Sequence, residues 1–275
     1  NPQSLEEFLV EKMKTLGILC SLLIPLGSFV SPTPQGLANL WFLIIIFLGF
    51  QNKENEHRLE TALLWMIALA TLFIHPLAGI PAICFLTLRE IDFILRNTAW
   101  KNPVLAFSTM LCALLLPFAF GIIGREGKVS FHLSALSSLL PNTFFSTRFN
   151  SLFDILIWLG TNGWLWLILL GIFGIFVLKK NNAVPRVAVL FPTTLFVSAG
   201  LLALLGDFSY LINYEQGNYV ARILSLALFA VLPFSAIGFV ELFKRVFELP
   251  SKFVTAGMGI IFAIGVASNI FVAYP

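Results

Sequence analysis

The feature that most constrains this chain is the length of its uncharged runs. Residues 61–88 contain no Asp, Glu, Lys or Arg over 28 positions. Only 11% of the 275 residues are charged and 58% are hydrophobic, whereas a soluble domain carries about 25% charged residues. A helix of about 20 apolar residues is long enough to cross a bilayer. The sequence therefore predicts an all-α fold, a polytopic bundle of transmembrane helices.

The other candidate spans are of two kinds, full-length and short. Two short runs flank the segment "SPTPQG". As helices they would reach only roughly 21 to 24 Å, against a hydrocarbon core of about 30 Å. They predict either two spans in a locally thinned bilayer or a re-entrant hairpin. The short runs are 15–30 and 37–50, and the full-length runs are 103–123, 155–178, 187–205, 223–240 and 253–272.

The run 61–88 has two interpretations, because Pro76 and Pro81 interrupt it. It is either one kinked span or two passes that turn at "HPLAG". With the amino terminus inside, two passes place 13 of the 17 basic residues inside and 4 outside, whereas one pass gives 8 and 9. The positive-inside rule selects two passes. We therefore expect about eight spans, with the amino terminus inside and the carboxy terminus outside. Residues 1–275 would form a single transmembrane domain of a longer chain.

Several classes of protein are disfavoured by what the sequence lacks. The basic residues are scattered between the spans, so we expect no nucleic-acid partner. Cys20, Cys84 and Cys112 lie inside apolar runs and are expected to be small buried hydrophobes, without a metal site. No predicted span has a charge near its middle, which disfavours an ion-coupled carrier. The sequence indicates no cofactor and contains none of the short motifs of nucleotide-binding or hydrolytic enzymes.

His75 is the first candidate functional residue. It lies at the outer end of the third predicted span, and an ionisable side chain at membrane depth is a candidate donor or base facing an external cavity. The alternative is a neutral histidine at the interface, bonded to carbonyls that the two prolines leave free. Both interpretations stay open.

The two long outer loops hold the other candidates. Arg148 lies in the loop 125–154, and Glu215 and Arg222 lie in the loop 206–222. Arginine presents a planar fork of donors that suits a phosphate or diphosphate. A carboxylate can bind a divalent metal or act as a base. The alternative is that these side chains are interfacial anchors satisfied by water and lipid headgroups.

The segments "HPLAG" at an outer span end and "YEQGNYVAR" in a later outer loop resemble the multi-span glycosyltransferases of the GT-C class in layout. The resemblance implies an enzyme of the plasma or inner membrane. It would use a polyprenyl-phosphate sugar among the membrane lipids at the non-cytoplasmic face. That class places its catalytic acid in the first external loop, whereas "SPTPQG" has none. The resemblance thus implies that two spans and the acid precede Asn1, with additional domains outside this segment.

His75, Arg148, Glu215 and Arg222 lie in three external segments, where headgroups and lipid phosphates would be found, and we expect them to form one substrate-binding cavity at the outer boundary. The two arginines would neutralise a phosphate, His75 would donate to it or orient it, and Glu215 would hold a sugar hydroxyl or a metal. Two other classes of function remain open. One is an uncoupled transporter or flippase-like protein, and the other is a structural or assembly subunit of a membrane complex.

Overall fold

The structure is a computed structural model that describes residues 34–50, 57–123, 154, 163–180, 186–205 and 218–246. Regular secondary structure in these residues is entirely α-helical, as the sequence predicts. The predicted spans 15–30 and 253–272 lie outside the described residues. The helices are α1 Pro34–Gly49, α2 His57–Ile74, α3 Pro76–Ile94, α4 Lys101–Ile123, α5 Gly163–Lys180, α6 Arg186–Leu205 and α7 Asn218–Val246.

Two of the described helices contain a segment long and apolar enough to cross a membrane. These segments are Arg186–Leu205, which is all of α6, and Tyr219–Phe239 within α7. Four more apolar helical segments are 10 to 17 residues long, which is short of the usual 20 or so. The predicted number of spans is therefore not established by the described helices.

The interruption predicted in 61–88 is present, and it is a single residue. His75 is non-helical, with φ −155° and ψ 107°, and α2 and α3 on either side of it pack against each other as a helical hairpin. Pro76 is at the first position of α3. A proline there disfavours the helical conformation for His75 and starts the next helix at no hydrogen-bonding cost.

The prediction for Pro81 was wrong, because this proline lies inside α3 and does not end the helix. The turn is also tighter than "HPLAG", since Pro76 to Gly79 already belong to the first turn of α3. Gly79 allows this geometry. A Cβ at position 79 would overlap the backbone of Leu72 across the hairpin, so the close approach of α2 and α3 requires glycine there.

Helix α7 begins earlier than the sequence indicated. Residues 218–222 were expected in the outer loop 206–222, but α7 starts at Asn218 and continues to Val246. The segment "NYVAR" is therefore helical. Helix α3 continues past the end of the uncharged run 61–88, through "REIDFI" to Ile94.

The chain divides into two compact units, each with its own packing. The described helices of the first unit are α1, α2, α3, α4, α6 and α7 as far as Ala230. The described helices of the second unit are α5 and the part of α7 from Val231 onward. The single transmembrane domain stays a prediction.

Helix α3 is central to the first unit, where it packs against α1, α2, α4 and α6. Three fully buried phenylalanines join these helices. The ring centroid of Phe85 on α3 lies 5.1 Å from that of Phe191 on α6, which lies 6.1 Å from that of Phe42 on α1. Tilted aromatic pairs at this spacing add about 0.5 to 1.5 kcal/mol each beyond the burial of their surface.

The second unit is held by close contact between two helix backbones. A Cβ at Gly174 on α5 would overlap the carbonyl oxygen of Phe234 on α7, and a Cβ at Gly238 would overlap that of Leu170. The hydroxyl of Ser235 donates to the carbonyl oxygen of Leu167 at 2.6 Å. Small residues and a bridging hydroxyl at a crossing are typical of helix pairs that associate within a membrane.

Candidate functional site

The backbone around His75 is fully bonded, so the hairpin turn is rigid at this residue. The His75 amide donates to the carbonyl of Thr71 at 2.9 Å and completes α2. The His75 carbonyl accepts from the amides of Ala78 and Gly79 at 3.1 and 3.0 Å and begins α3. The imidazole makes no capping bond to α3. Its Nδ1 is buried and has no hydrogen-bond partner among the residues that the structure describes.

Arg222 belongs to the first turns of α7 and is oriented by Tyr219 one turn earlier. The guanidinium carbon of Arg222 lies 5.5 Å from the centroid of the Tyr219 ring. A cation at this distance over an aromatic face is stabilised by about 0.5 to 1 kcal/mol at an exposed site. Both side chains are half-buried, so the charge of Arg222 is held in place at the start of α7.

His75 and Arg222 lie close enough to interact electrostatically. Partial burial lowers the pKa of His75 below its ordinary value of 6.5, and the positive charge of Arg222 lowers it further. Both effects disfavour the imidazolium. His75 is therefore neutral at pH 7, with one ring nitrogen as donor and the other as acceptor. The pair offers one fixed positive charge beside a neutral imidazole.

The structure brings together two of the four residues predicted for the site. His75 and Arg222 interact across the start of α3 and the start of α7. Arg148 and Glu215 lie outside the described residues. The cavity formed by all four side chains therefore stays a prediction, and for the two described residues the structure shows an electrostatic interaction.

Tyr219 was missed as a residue of the site. The sequence places 218–222 in an outer loop, where nothing relates Tyr219 to Arg222. In a helix, residues three apart lie on one face. An earlier predicted start of α7 would have paired Tyr219 with Arg222. The polar side chains of "NYVAR" gave no apolar periodicity that could reveal that start.

A second group of polar side chains lies at the other end of α3 and was not predicted as a unit. Asp92 pairs with Lys101, at 2.8 Å between Oδ1 and Nζ, and Arg89 lies 3.6 Å from Glu90. Arg186, the first residue of α6, donates to the side-chain oxygen of Asn102 at the start of α4. The end of α3 and the starts of α4 and α6 thus meet.

Metal-ligating residues are sparse in the part of the chain that the structure describes. In those ranges no three His, Cys, Asp or Glu side chains are grouped so that they could hold a metal ion. Cys84 is buried and Cys112 is half-buried, and both are free thiols.

No family model matches the chain, and neither a curated protein nor a solved structure matches it. Function is therefore inferred from the side chains themselves. A fixed arginine beside a neutral histidine with a buried, unpartnered ring nitrogen can bind an anion that also donates or accepts a hydrogen bond. A phosphate ester has this chemistry.

Proposed function

We propose that this chain is an integral membrane protein of the plasma or inner membrane that binds the phosphate of a lipid-linked substrate where His75 meets Arg222. Its reaction would be the transfer of a sugar from a polyprenyl phosphate, as the resemblance to GT-C glycosyltransferases implies. The observation that carries the proposal is the electrostatic influence of Arg222 on His75, whose unpartnered Nδ1 lies at the α2–α3 turn, across 147 positions of sequence.

The apolar side chains on the outside of the helices support membrane embedding. Phe73 is 88% exposed and Phe118 68% exposed, and many other large apolar side chains of the described helices are exposed as well. A soluble monomer rarely exposes large contiguous apolar patches, whereas lipid chains solvate such side chains. The two long apolar segments on α6 and α7 support the same interpretation.

The charges at the His75 end suit a phosphate at the membrane boundary. Arg222 can give a phosphate oxygen two parallel N–H bonds, and its contact with Tyr219 holds it ready. His75 can donate one further bond without adding a second charge. As a glycosidic C–O bond to phosphate breaks, negative charge grows on the departing phosphate oxygen. A fixed guanidinium at that oxygen would stabilise the transition state.

Binding of a phosphorylated lipid by Arg222→Gln tests this proposal. Purified protein in neutral detergent is titrated with a polyprenyl phosphate and, separately, with the polyprenol that lacks the phosphate. Charged hydrogen bonds contribute about 1.5 to 3 kcal/mol, so Arg222→Gln should weaken phosphate binding roughly 10- to 100-fold. Polyprenol binding should not change.

Ser225→Ala is the matched control, one turn further along α7. Among the described residues, the Ser225 hydroxyl donates to the carbonyl of Ala221 in its own helix, so its loss should leave both affinities unchanged. Equal binding of polyprenol and its phosphate by the native protein would refute the phosphate site. Movement of an intact lipid-linked sugar between leaflets, with no release of the sugar, would favour the flippase-like alternative over transfer.

A further inference from the structure

The turn between α3 and α4 forms a surface that the proposed reaction does not use. We define the α3–α4 turn surface as Ile94, Arg96, Trp100, Lys101 and Arg186. Trp100 is 72% exposed and Ile94 is 69% exposed. Arg96 and Arg186 are also exposed, and the hydrogen bond from Arg186 to Asn102 brings α6 to the start of α4. Apolar and basic side chains therefore share this surface.

The α3–α4 turn surface and the charged residues of α3 next to it have a net positive charge. Arg89, Arg96, Lys101 and Arg186 are basic, and Glu90 and Asp92 are acidic, so four minus two gives a net charge of +2. Both acids face a basic neighbour, Asp92 facing Lys101 and Glu90 facing Arg89. The guanidinium carbon of Arg96 lies 5.3 Å from the ring centroid of Phe93, which orients the exposed arginine along the surface.

The two polar ends of α3 are separated by the thickness of a bilayer core. Helix α3 has 19 residues, which at 1.5 Å per residue is roughly 29 Å. The hydrocarbon core is about 30 Å thick. If His75 lies at one boundary, as the proposed function requires, the α3–α4 turn surface lies at the opposite one. Between them, residues 77–88 of α3 carry no charged side chain.

We propose that the α3–α4 turn surface binds the headgroup of an anionic phospholipid in the leaflet opposite the His75–Arg222 site. The proposal rests on the membrane embedding proposed above. Trp100 would lie at headgroup depth, where tryptophan is enriched. Arg96, Lys101 and Arg186 would contact the headgroup phosphate, as basic clusters between helix ends do. The net positive charge selects an anionic headgroup over a zwitterionic one.

The test compares phosphatidylglycerol and phosphatidylcholine with the same acyl chains. Full-length protein is delipidated in neutral detergent and titrated with each lipid, and bound lipid is counted by native mass spectrometry. We expect phosphatidylglycerol to bind more tightly. A basic residue near an anionic surface contributes about fivefold in affinity, so the double variant Arg96→Gln/Arg186→Gln should bind phosphatidylglycerol about 30-fold more weakly. Its affinity for phosphatidylcholine should be unchanged.

Three control variants locate the effect. Asn97→Gln changes a neutral side chain in the same turn and should keep the lipid preference. Arg186→Lys keeps the positive charge and should therefore also keep the preference for phosphatidylglycerol. Arg222→Gln removes a positive charge at the other end of α3 and should leave the preference for phosphatidylglycerol intact while polyprenyl phosphate binding falls. Each variant is first compared with the native protein by circular dichroism and gel filtration.

The possible failures are distinguishable. Equal affinity for the two phospholipids overturns the headgroup site, and so does a preference that persists in the double variant. A preference lost in Arg222→Gln alone would place the lipid at the other end of α3 and also overturns it. Extraction of the native protein from membranes by alkaline carbonate would overturn membrane embedding itself, and this inference with it.

Discussion

His75 shows how one position combines a structural and a chemical role. Its backbone ends α2 and begins α3 through hydrogen bonds to Thr71, Ala78 and Gly79. The imidazole ring makes no capping hydrogen bond to α3. The position of the ring follows from Pro76, which favours the extended conformation of the residue before it. The proline therefore fixes where the imidazole lies, and Arg222 influences its protonation.

We predict that stability falls as the pH is lowered through the titration of His75. The folded-state pKa lies below the ordinary value of 6.5, so the folded chain binds fewer protons than the unfolded chain. The free energy of unfolding therefore decreases as the pH falls below about 6.5. Thermal unfolding in detergent at pH 7.5 and pH 5 measures this. His75→Gln, which does not titrate, should reduce the drop.

The pKa of His75 can be used to test whether Arg222 interacts with it. The chain has three histidines, so NMR of labelled imidazoles can follow His75, with His75→Gln identifying its signal. Arg222→Gln removes a like charge and should raise the pKa of His75, whereas Ser225→Ala should not. A His75 pKa that is unchanged in Arg222→Gln would show that the two side chains do not interact in solution.

At the scale of the helices, boundaries were predictable where composition changes sharply. The proline at position 76, inside the uncharged run 61–88, marks the end of α2. The predictions for Pro81 and for the segment 218–222 differ from the structure, and each difference has a physical reason. Helix packing accommodates Pro81 within α3, which packs against four other helices, and α7 extends into a polar segment that lacks apolar periodicity.

We predict that Pro76 and Pro81 differ in their effect on stability. Pro76→Ala removes the constraint that breaks the helix at His75, so it should destabilise the hairpin by about 0.4 to 1 kcal/mol. Pro81→Ala restores an amide within α3 that can donate to the carbonyl of Leu77, so it should be neutral or stabilising. Thermal unfolding midpoints of the two single variants compare them. Equal losses in both would show that Pro76 has no special role in the turn.

For the whole molecule, the sequence carries a signal for the sidedness of the loops but none for contacts between helices that are distant in sequence. The distribution of basic residues indicates which loops share a side, because that bias acts on each loop independently. Pairings such as Phe85 with Phe191 or Gly174 with Phe234 depend on how helices distant in sequence meet, and no local pattern encodes them. For the same reason Arg222 was a candidate on composition, while its contact with His75 required the structure.

The predicted number of spans needs one correction by arithmetic. Termini on opposite sides of a membrane require an odd number of complete crossings. The predicted runs, with 61–88 counted as two, amount to nine if 15–30 and 37–50 both cross, and to seven if these form a re-entrant hairpin. An even number of complete crossings, such as eight, does not fit a carboxy terminus outside.

We predict that thiol labelling separates the loops by side. In a background where Cys20, Cys84 and Cys112 are replaced by alanine, Asn142→Cys and Asn218→Cys should react with an impermeant maleimide added to intact cells. Asn182→Cys should react only after the membrane is permeabilised. The reason is the split of 13 basic residues inside against 4 outside. Labelling of position 182 in intact cells would reverse the sidedness of the downstream loops.

The one-residue connection between α2 and α3 also bears on biosynthesis. A nascent chain that inserts these helices has no hydrophilic loop to move through the bilayer ahead of the second helix. The backbone N–H and C=O of His75 are already bonded to neighbouring turns, and its imidazole favours the neutral form. Insertion of the pair would therefore move one uncharged ring across the hydrocarbon. The two helices would enter a membrane as a single step, rather than one after the other.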